Sequence, residues 1–296
     1  MKIEQKLPEI KKNVKLSVYT TFKIGGRASY FFEAKTKNEI IKAVKVAKEL
    51  KLPFFILGRG SNLLISDKGF EGLVVKIQMS KLKCQNYKIY TEAGVLLSQL
   101  INIALKNDLS GLEWATGVPG TVGGAIFGNA GWPSNKKNIS SVIESVEVLE
   151  IKPKLKIKNI KLKDCRFDYR DSIFKHNKNL IILSAFLRLK KENKTKIKKE
   201  ILEILKKRKE KIPQGFSAGS IFKNPENFSA GELIEKCGLK EKKIGKAQIS
   251  EKHANFIINL GGAKAKDVLG LISLCKQKVK KKFKIELKEE IQYLGF

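Results

Sequence analysis

Seven of the chain's 23 glycines fall in one short run, Gly111–Gly131, which reads G-L-E-W-A-T-G-V-P-G-T-V-G-G-A-I-F-G-N-A-G. Glycine has no Cβ, so it accepts positive φ and lets a ligand approach bare backbone. Pro119 fixes one φ among these flexible points and removes a donor that would need a partner. The run predicts a shaped loop lined with N–H groups, a surface suited to phosphate or a flat ring. A second loop, Leu57-Gly58-Arg59-Gly60-Ser61-Asn62, follows the strand-like Pro53–Leu57 and is expected to face it. Together they read as a clamp for a large phosphorylated cofactor. The clamp is not a dinucleotide fingerprint, because Leu63 stands where the third glycine would fall after Gly58 and Gly60.

A chain of 296 residues can bury a real core and is expected to form two or more domains. No window approaches the roughly 20 apolar residues that span a bilayer. The start, M-K-I-E-Q-K-L-P-E-I, has no apolar h-region, so a cytoplasmic enzyme is expected.

The formal charge is +31, from 60 basic and 29 acidic residues, which raises nucleic acid or an anionic membrane as partners. Only residues 27, 59, 166, 170, 188 and 208 are arginine, however, and the lysines run along the whole chain. An RNA binder concentrates arginine and aromatics on one element. The lysines therefore read as solvated faces, and neither nucleic acid nor membrane is expected as a partner. The few arginines mark places where a planar fork matters, and Arg27, Arg59 and Arg170 each sit in a distinctive motif. Cys84, Cys165, Cys237 and Cys275 form no C-x-x-C, and His176 and His253 stand far apart. That spacing excludes a zinc site and predicts four reduced, mostly buried thiols.

Taken in order, residues 1–16 read as a lysine-rich lead-in helix. A short strand then ends in the Gly25-Gly26 turn of Val18–Ala28. Tyr30–Ala34 is a strand, and Asn38–Leu50 an amphipathic helix capped by Asn38, with Ile40, Ile41, Val44 and Ala47 on its apolar face. Leu63–Ile65, Leu73–Ile77 and Lys88–Ala93 read as strands and Leu96–Asn107 as a helix. Strands follow at Val142–Glu150, Leu155–Ile157 and Leu180–Arg188. Between the last two, Asp164–Ser172 suits either a site edge or an exposed turn. Lys190–Lys211 reads as a solvated helix started by Asn193 or Thr195, with Ile197, Ile201, Ile204 and Leu205 as its stripe and Pro213 as its stop. The remainder is a smaller α/β unit. It opens at Gly219–Pro225 and continues with helices Ala230–Cys237 and Lys266–Phe283. Its strands are His253–Asn259 and Ile285–Leu294, the last carrying Glu289-Glu290.

Eight motifs in one order carry a resemblance: T-T-F-K-I-G-G-R-A, I-L-G-R-G-S-N-L-L, G-V-P-G-T-V-G-G-A, N-A-G, Y-R-D-S, G-S-I-F-K-N-P, K-H-A-N-F-I-I-N and E-E-I-Q-Y-L-G. Over about residues 14–296 the chain resembles the UDP-N-acetylenolpyruvoylglucosamine reductase family. The resemblance implies an α+β fold. An FAD-binding domain of the vanillyl-alcohol-oxidase (PCMH) type spans 1–190, in two α/β subdomains at about 14–78 and 79–190. A connecting helix follows at 191–212, and a smaller α/β substrate-binding domain at 213–296.

It also implies a two-stage reaction in peptidoglycan precursor synthesis. NADPH reduces FAD and leaves, and a UDP-sugar enolpyruvyl ether takes its place. Flavin N5 then delivers hydride to the enol-ether carbon, giving UDP-N-acetylmuramate. Charge spreads onto the adjacent carboxylate, which calls for cations or donors, and one proton must follow.

By the resemblance Arg170 holds that carboxylate, Ser220 gives the proton, and Glu290 polarises the enol or orients Ser220 and a water. Read alone, Arg170 suits a surface ion pair with Asp171, Ser220 a turn or N-cap serine, and Glu290 a solvated carboxylate. The cofactor residues carried over are Thr21, Leu57, Gly58, Arg59, Gly60, Ser61, Asn62, Leu63, Gly117, Pro119, Gly120, Gly123, Gly124 and Ala125. The amides of Gly58, Gly60, Ser61 and Asn62 are expected at the pyrophosphate. Substrate residues are Tyr169, Lys211 and Asn224, Lys211 reading equally well as one more solvated lysine.

The span Asn129–Tyr169 is too short for the extra tyrosine loop of some members, so the chain resembles the shorter type. Neither histidine lies in a glycine loop, so the flavin is expected to be non-covalent. A monomer is expected, with no metal. The alternative within enzymes is a flavin oxidase of the same fold acting on a small alcohol or sugar, which accommodates both flavin loops but not Gly219–Pro225. Outside enzymes, the alternative is an RNA or membrane-surface module driven by charge.

Overall fold

In the computed structural model, which describes residues 2–132 and 137–296, the backbone separates into two units. The first comprises Met1–Ile10, Phe32–Gly58 and Val74–Arg208, and the second Lys11–Phe31, Arg59–Leu73 and Lys209–Phe296.

The first unit is built on a five-stranded antiparallel sheet, in the order Lys156–Lys161, Ile143–Glu150, Leu180–Arg188, Lys88–Glu92 and Leu82–Gln85. The central strand, L-I-I-L-S-A-F-L-R, is apolar almost throughout, and its first six residues are buried. A strand covered on both faces needs such a run rather than an alternating one. Leu97, Leu100, Ile101 and Ala104 recur at helical spacing and form the buried stripe of helix Leu97–Lys106.

Helix Lys37–Glu49 is capped by Thr36 and not by Asn38. The Thr36 hydroxyl accepts from the Glu39 amide at 3.2 Å, and the Glu39 carboxylate accepts from the Thr36 amide at 3.2 Å. This reciprocal pair satisfies two donors at once, which a cap at Asn38 could not. Helix Lys194–Lys211 starts where the Asn193 side chain accepts from the Thr195 amide at 2.8 Å. Of its expected stripe Ile197 and Ile204 are buried, whereas Leu205 is exposed. Lys190–Lys191 instead pairs with Leu109–Ser110 as a short strand.

The lead-in is not one helix. In the first unit Ile3–Lys6 forms a single turn, and in the second Lys11–Lys15 is a strand antiparallel to the start of Arg27–Ala34, with Lys15 opposite Arg27. Met1 lies outside the described residues. The strand expected before Gly25 is also absent, and Leu16–Tyr19 forms a 3-10 turn. Thr20 explains this. Its hydroxyl donates to the Ser17 carbonyl at 3.3 Å and accepts from the Lys23 amide at 3.0 Å. Such local bonds compete with a strand ladder.

The second unit's core gathers Phe22, Ile24 and Leu64 with Ile221, Phe222, Leu233, Ile234, Val268, Leu271, Cys275, Leu287 and Ile291. Strands Lys243–Ile244, Ala247–Ile249 and Ile257–Asn259 form an antiparallel meander beneath helix Ala265–Phe283. Asp67 caps that helix, accepting from the amides of Ala265 at 2.8 Å and Lys266 at 3.2 Å.

Two expected strands are shorter than read. His253–Phe256 is a turn, closed by the Phe256 amide on the His253 carbonyl at 2.9 Å, so only Ile257–Asn259 is strand. At the end of the chain only Gln292–Leu294 is strand, parallel to Leu63–Ile65. Glu289 and Glu290 precede it, on a segment bridged to Ile221–Lys223.

All four cysteines are reduced; Cys165 and Cys275 are buried, and Cys84 and Cys237 are half-buried. Burial pushes the Cys165 thiol up to about 11 and the Cys275 thiol up to about 12, so both stay protonated and inert.

Thr36→Ala removes the capping box and is expected to lower stability by about 1 kcal/mol in urea unfolding. Gly69 has φ +87°, and a Cβ there would lie 1.9 Å from the Arg27 carbonyl oxygen. Gly69→Ala is therefore expected to lose clearly more, on the order of 3 kcal/mol or above, in the same assay.

Candidate functional site

In the first unit strand Phe54–Leu57 delivers Gly58 against the glycine run. A Cβ on Gly58 would stand 2.8 Å from the Thr121 hydroxyl oxygen, so the two glycine segments touch there. The Lys76 ammonium donates to the Gly58 carbonyl and holds the strand end.

The glycine run is only partly a loop. Thr121 caps a helix, Val122–Phe127, accepting from the Gly124 amide at 3.3 Å. The amides of Val122, Gly123 and Ala125 donate to the carbonyls of Val95 at 2.8 Å, Ala93 at 2.9 Å and Thr121 at 2.9 Å. The expectation of a continuous N–H-lined surface therefore fails over 122–125. Gly123 serves packing instead, since a Cβ there would sit 2.8 Å from the Ala93 methyl.

The more open part lies before that helix. Gly117 is exposed with φ +76°, beside the exposed Pro119, while the Gly120 carbonyl accepts from the Leu97 amide at 3.1 Å. Three buried atoms, Trp114 Nε1, Thr116 Oγ1 and Arg208 Nε, have no hydrogen-bond partner among the described residues. Arg208 lies in none of the sequence motifs. Its Nη2 donates to the Trp114 carbonyl at 3.3 Å, and its Cζ lies 4.4 Å from the Trp132 ring centroid. Burial, and then the charge of Arg170, pull its pKa down to about 10. The available signal was its type: it is the lone arginine in a helix otherwise written with lysine.

Arg170 sits on a tight turn with φ +54°. Asp168 and Asp171 exchange backbone bonds of 3.1 Å across it. The end of the glycine run holds this turn, with Asn129 Nδ2 donating to the Asp168 carbonyl at 2.8 Å and the Ser172 hydroxyl donating to the Phe127 carbonyl at 2.7 Å. The exposed Tyr169 ring lies 5.7 Å from the Arg170 guanidinium, and Asp171 is bonded to His176 at 2.8 Å. Residues 133–136, part of the short span between Asn129 and Tyr169, lie outside the described residues.

In the second unit Thr21 ties two loops together. Its amide donates to the Gly60 carbonyl at 3.3 Å and its hydroxyl to the Ser217 carbonyl at 2.7 Å. Gly60 has φ +64°, and a Cβ would lie 2.6 Å from the Tyr19 carbonyl oxygen. Asn62 donates from Nδ2 to the Glu290 carbonyl at 3.1 Å, and Leu63 pairs with Gln292. Arg59 is exposed and Ser61 half-buried.

Ser220 follows Gly219, whose φ is +78°, and forms a bridge with Phe256. The Glu290 amide donates to the Ile221 carbonyl at 2.8 Å, which puts Ser220 and Glu290 on neighbouring backbones. Asn255 fixes this segment. Buried to 3% exposure, its amide accepts from the Phe222 N–H at 2.9 Å and donates to the Phe222 carbonyl at 2.8 Å. In the sequence Asn255 is visible only as a member of the K-H-A-N-F-I-I-N motif, with no sign of this role.

Thr21, the loop from Arg59 to Leu63, Ser220 and Glu290 thus form one linked network within the second unit. Asn224 and Lys211 belong to this unit but are exposed, and Asn224 Oδ1 accepts from the Ala230 amide at 3.0 Å at the start of a helix. An open groove of about 600 Å³, lined by Asn13, Lys15, Arg27, Asp67 and Glu71, holds none of these residues. Among the described residues no group of three His, Cys, Asp or Glu side chains could hold a metal ion.

Comparison with known proteins gives concordant matches. A family model for an FAD binding domain matches residues 28–153, and one for the C-terminal domain of UDP-N-acetylenolpyruvoylglucosamine reductase matches residues 210–294. The UDP-N-acetylenolpyruvoylglucosamine reductase of Caldanaerobacter subterraneus subsp. tengcongensis is 43% identical over 98% of this chain and 97% of its own length. That of Clostridium novyi is 42% identical over 97% and 92%. Among solved structures, the reductase of Thermus caldophilus superposes with a TM-score of 0.82 at 34% identity, covering 95% of this chain and 98% of that one.

Two outcomes follow from the geometry. Gly58→Ala pushes on the Thr121 hydroxyl, whereas a Cβ on Gly124 would meet it at an ordinary 3.5 Å. The first substitution is expected to lower FAD content at least about tenfold, and the second to leave it near wild type, as read by flavin absorbance per protein.

His253 is held neutral. Burial lowers its pKa, and its Nδ1 accepts from the Asn255 amide at 3.2 Å, so the proton sits on Nε2. A lowered folded pKa means that the unfolded chain protonates first, so stability is expected to fall as pH drops below the unperturbed value of about 6.5. Thermal melts from pH 7.5 to 5 are expected to show this loss, and His253→Gln to flatten it.

Proposed function

The chain belongs to the UDP-N-acetylenolpyruvoylglucosamine reductase family, and we propose that it uses NADPH, through non-covalent FAD, to reduce a UDP-sugar enolpyruvyl ether to UDP-N-acetylmuramate for peptidoglycan precursor synthesis. The observation that carries this reading is the linkage of Ser220 and Glu290 through the Ile221 carbonyl, on a segment tied by Asn62 to a glycine loop. A family-specific proton donor and a flavin-type loop then share one scaffold.

The donor set of the first unit fits the cofactor. Buried donors without acceptors each cost about 1–3 kcal/mol, and a ligand rich in acceptors relieves that. Among the described residues Trp114 Nε1, Thr116 Oγ1 and Arg208 Nε are such donors, and the Arg208 stem passes beside Gly117. When bound, FAD supplies hydride transfer between the nicotinamide and the enolpyruvyl carbon.

The chain's own residues handle the charge and the proton. Arg170 takes the enolpyruvyl carboxylate through its planar fork, where negative charge collects. Ser220 donates a proton to the adjacent carbon. A hydroxyl is a weak acid, but an enolate carbon is basic, so a fixed approach suffices. Asn255 and the Glu290 amide fix the backbone on which Ser220 stands. Glu290 polarises the enol or orients Ser220 and a water. Tyr169, Lys211 and Asn224 contact the rest of the substrate. The division of labour we propose is FAD binding by 1–190, connection by 191–212 and substrate binding by 213–296, in a cytoplasmic monomer. The family-model matches over 28–153 and 210–294 support FAD binding in the N-terminal part and a reductase C-terminal domain after it.

Purified protein is expected to be yellow, to bleach anaerobically with NADPH, and to recolour on addition of the enolpyruvyl substrate. Recolouring only with oxygen would mark an oxidase instead. Ser220→Ala is expected to leave flavin reduction by NADPH nearly intact while slowing the second half-reaction at least about 100-fold. Normal rates in both halves would remove Ser220 from the role of proton donor.

A further inference from the structure

Arg170 occupies a backbone position that arginine rarely takes. Asp168 and Asp171 exchange backbone hydrogen bonds of 3.1 Å in each direction, so Tyr169 and Arg170 are the two central residues of a tight turn. Arg170 is the second of them, with φ +54°. A turn asks for glycine or asparagine at such a place, because other side chains crowd the backbone there. A conformation of this kind persists only where the surroundings over-determine it.

The flanks of the turn are pinned by Asn129 on the Asp168 carbonyl and by Ser172 on the Phe127 carbonyl. Neither of these bonds reaches the carbonyl of Arg170 itself. Lys175 does: its ammonium donates to that oxygen at 2.6 Å. Lys175 stands on the one-turn helix Ile173–His176, whose place is fixed from below. Phe174 is buried with its ring 6.4 Å from that of Phe167, and the Lys175 amide donates to the Ser172 carbonyl at 3.1 Å. The lysine is half-buried, so a charged donor meets the carbonyl where water screens it less than at the open surface.

A held carbonyl fixes ψ of Arg170, and the closed turn leaves φ little freedom. The direction of the Cα–Cβ bond, from which the guanidinium extends, is then set. We propose that Lys175 is a positioning residue for Arg170, locking the left-handed turn so that the guanidinium meets the enolpyruvyl carboxylate at one angle. The inference rests on the carboxylate role read for Arg170 above. A planar fork pairs with a carboxylate through parallel bonds, which makes its affinity depend on angle, and a small misplacement of a positioning group is costly to rate. Lys175 touches no substrate in this scheme, and its whole effect passes through Arg170.

The test is a double-mutant cycle on holoenzyme carrying Lys175→Met, Arg170→Met or both. The two anaerobic half-reactions are timed separately: bleaching with NADPH and recolouring with the UDP-sugar enolpyruvyl ether. With Arg170 present, Lys175→Met is expected to slow recolouring at least tenfold while bleaching stays within threefold of wild type. In the Arg170→Met background the same substitution is expected to slow recolouring less than threefold, because nothing remains to be aimed. A residue that merely supports the fold would give equal losses in the two backgrounds.

A smaller loss with Arg170 present, a larger one in its absence, or equal slowing of both half-reactions overturns the proposal. Should Lys175→Met fail to fold, Lys175→Gln decides, because it keeps a donor on a shorter stem but drops the charge. At least a fivefold loss is then expected with Arg170 and less than twofold without it, and any other result overturns the assignment. Recolouring left near wild type by Arg170→Met alone would instead remove the carboxylate role from Arg170, and this inference would fall with it.

Discussion

Both units depend on backbone segments that approach more closely than any side chain allows. Gly58 lies against Thr121 and Gly123 against Ala93 in the first, and Gly60 lies against Tyr19 and Gly69 against Arg27 in the second. At each point a methyl group would fall within 3 Å of a neighbouring atom. Interiors packed to crystal-like density cannot absorb such an intrusion without moving backbone. What moves here is the scaffold of the site. Thr121 starts the helix whose far end reaches the Arg170 turn through Phe127 and Asn129, and Gly60 anchors Thr21. The glycines therefore act less by bending freely than by being small at fixed places.

This bears on what the sequence could reveal. The glycine run is legible as a site because its density is visible without coordinates. Its inner division is not. Gly117 and Gly123 look alike in one dimension, yet the first faces solvent and an arginine stem while the second is pinned to the Ala93 carbonyl. The helix at Lys37–Glu49 is legible from its apolar spacing, but its cap is easily misplaced because Asn38 and Thr36 are both good caps. Only the reciprocal bond with Glu39 separates them. The C-terminal strand reads too long because Ile285 to Leu294 alternates in hydrophobicity, whereas strand pairing begins only where Leu63–Ile65 is available.

Arg208 shows the limit most clearly. Lysine abundance hides one basic residue among many, and a solvated helix is the natural reading of its segment. Its half-buried position and an Nε without a partner among the described residues, which no pattern of residue types encodes, set it apart. Asn255 is a parallel case. Its motif is visible, but its two bonds to Phe222 depend on a turn at His253 that an expected strand conceals.

The order in which the chain visits its two units has a consequence for synthesis. Phe22, Ile24 and Leu64 belong to a core whose other members all lie beyond residue 217. They leave the ribosome long before Leu233, Leu271 or Ile291 exists to cover them. An incomplete nascent chain thus displays sticky apolar groups near its beginning until its final segment emerges, so premature termination yields an aggregation-prone fragment rather than a usable half-enzyme.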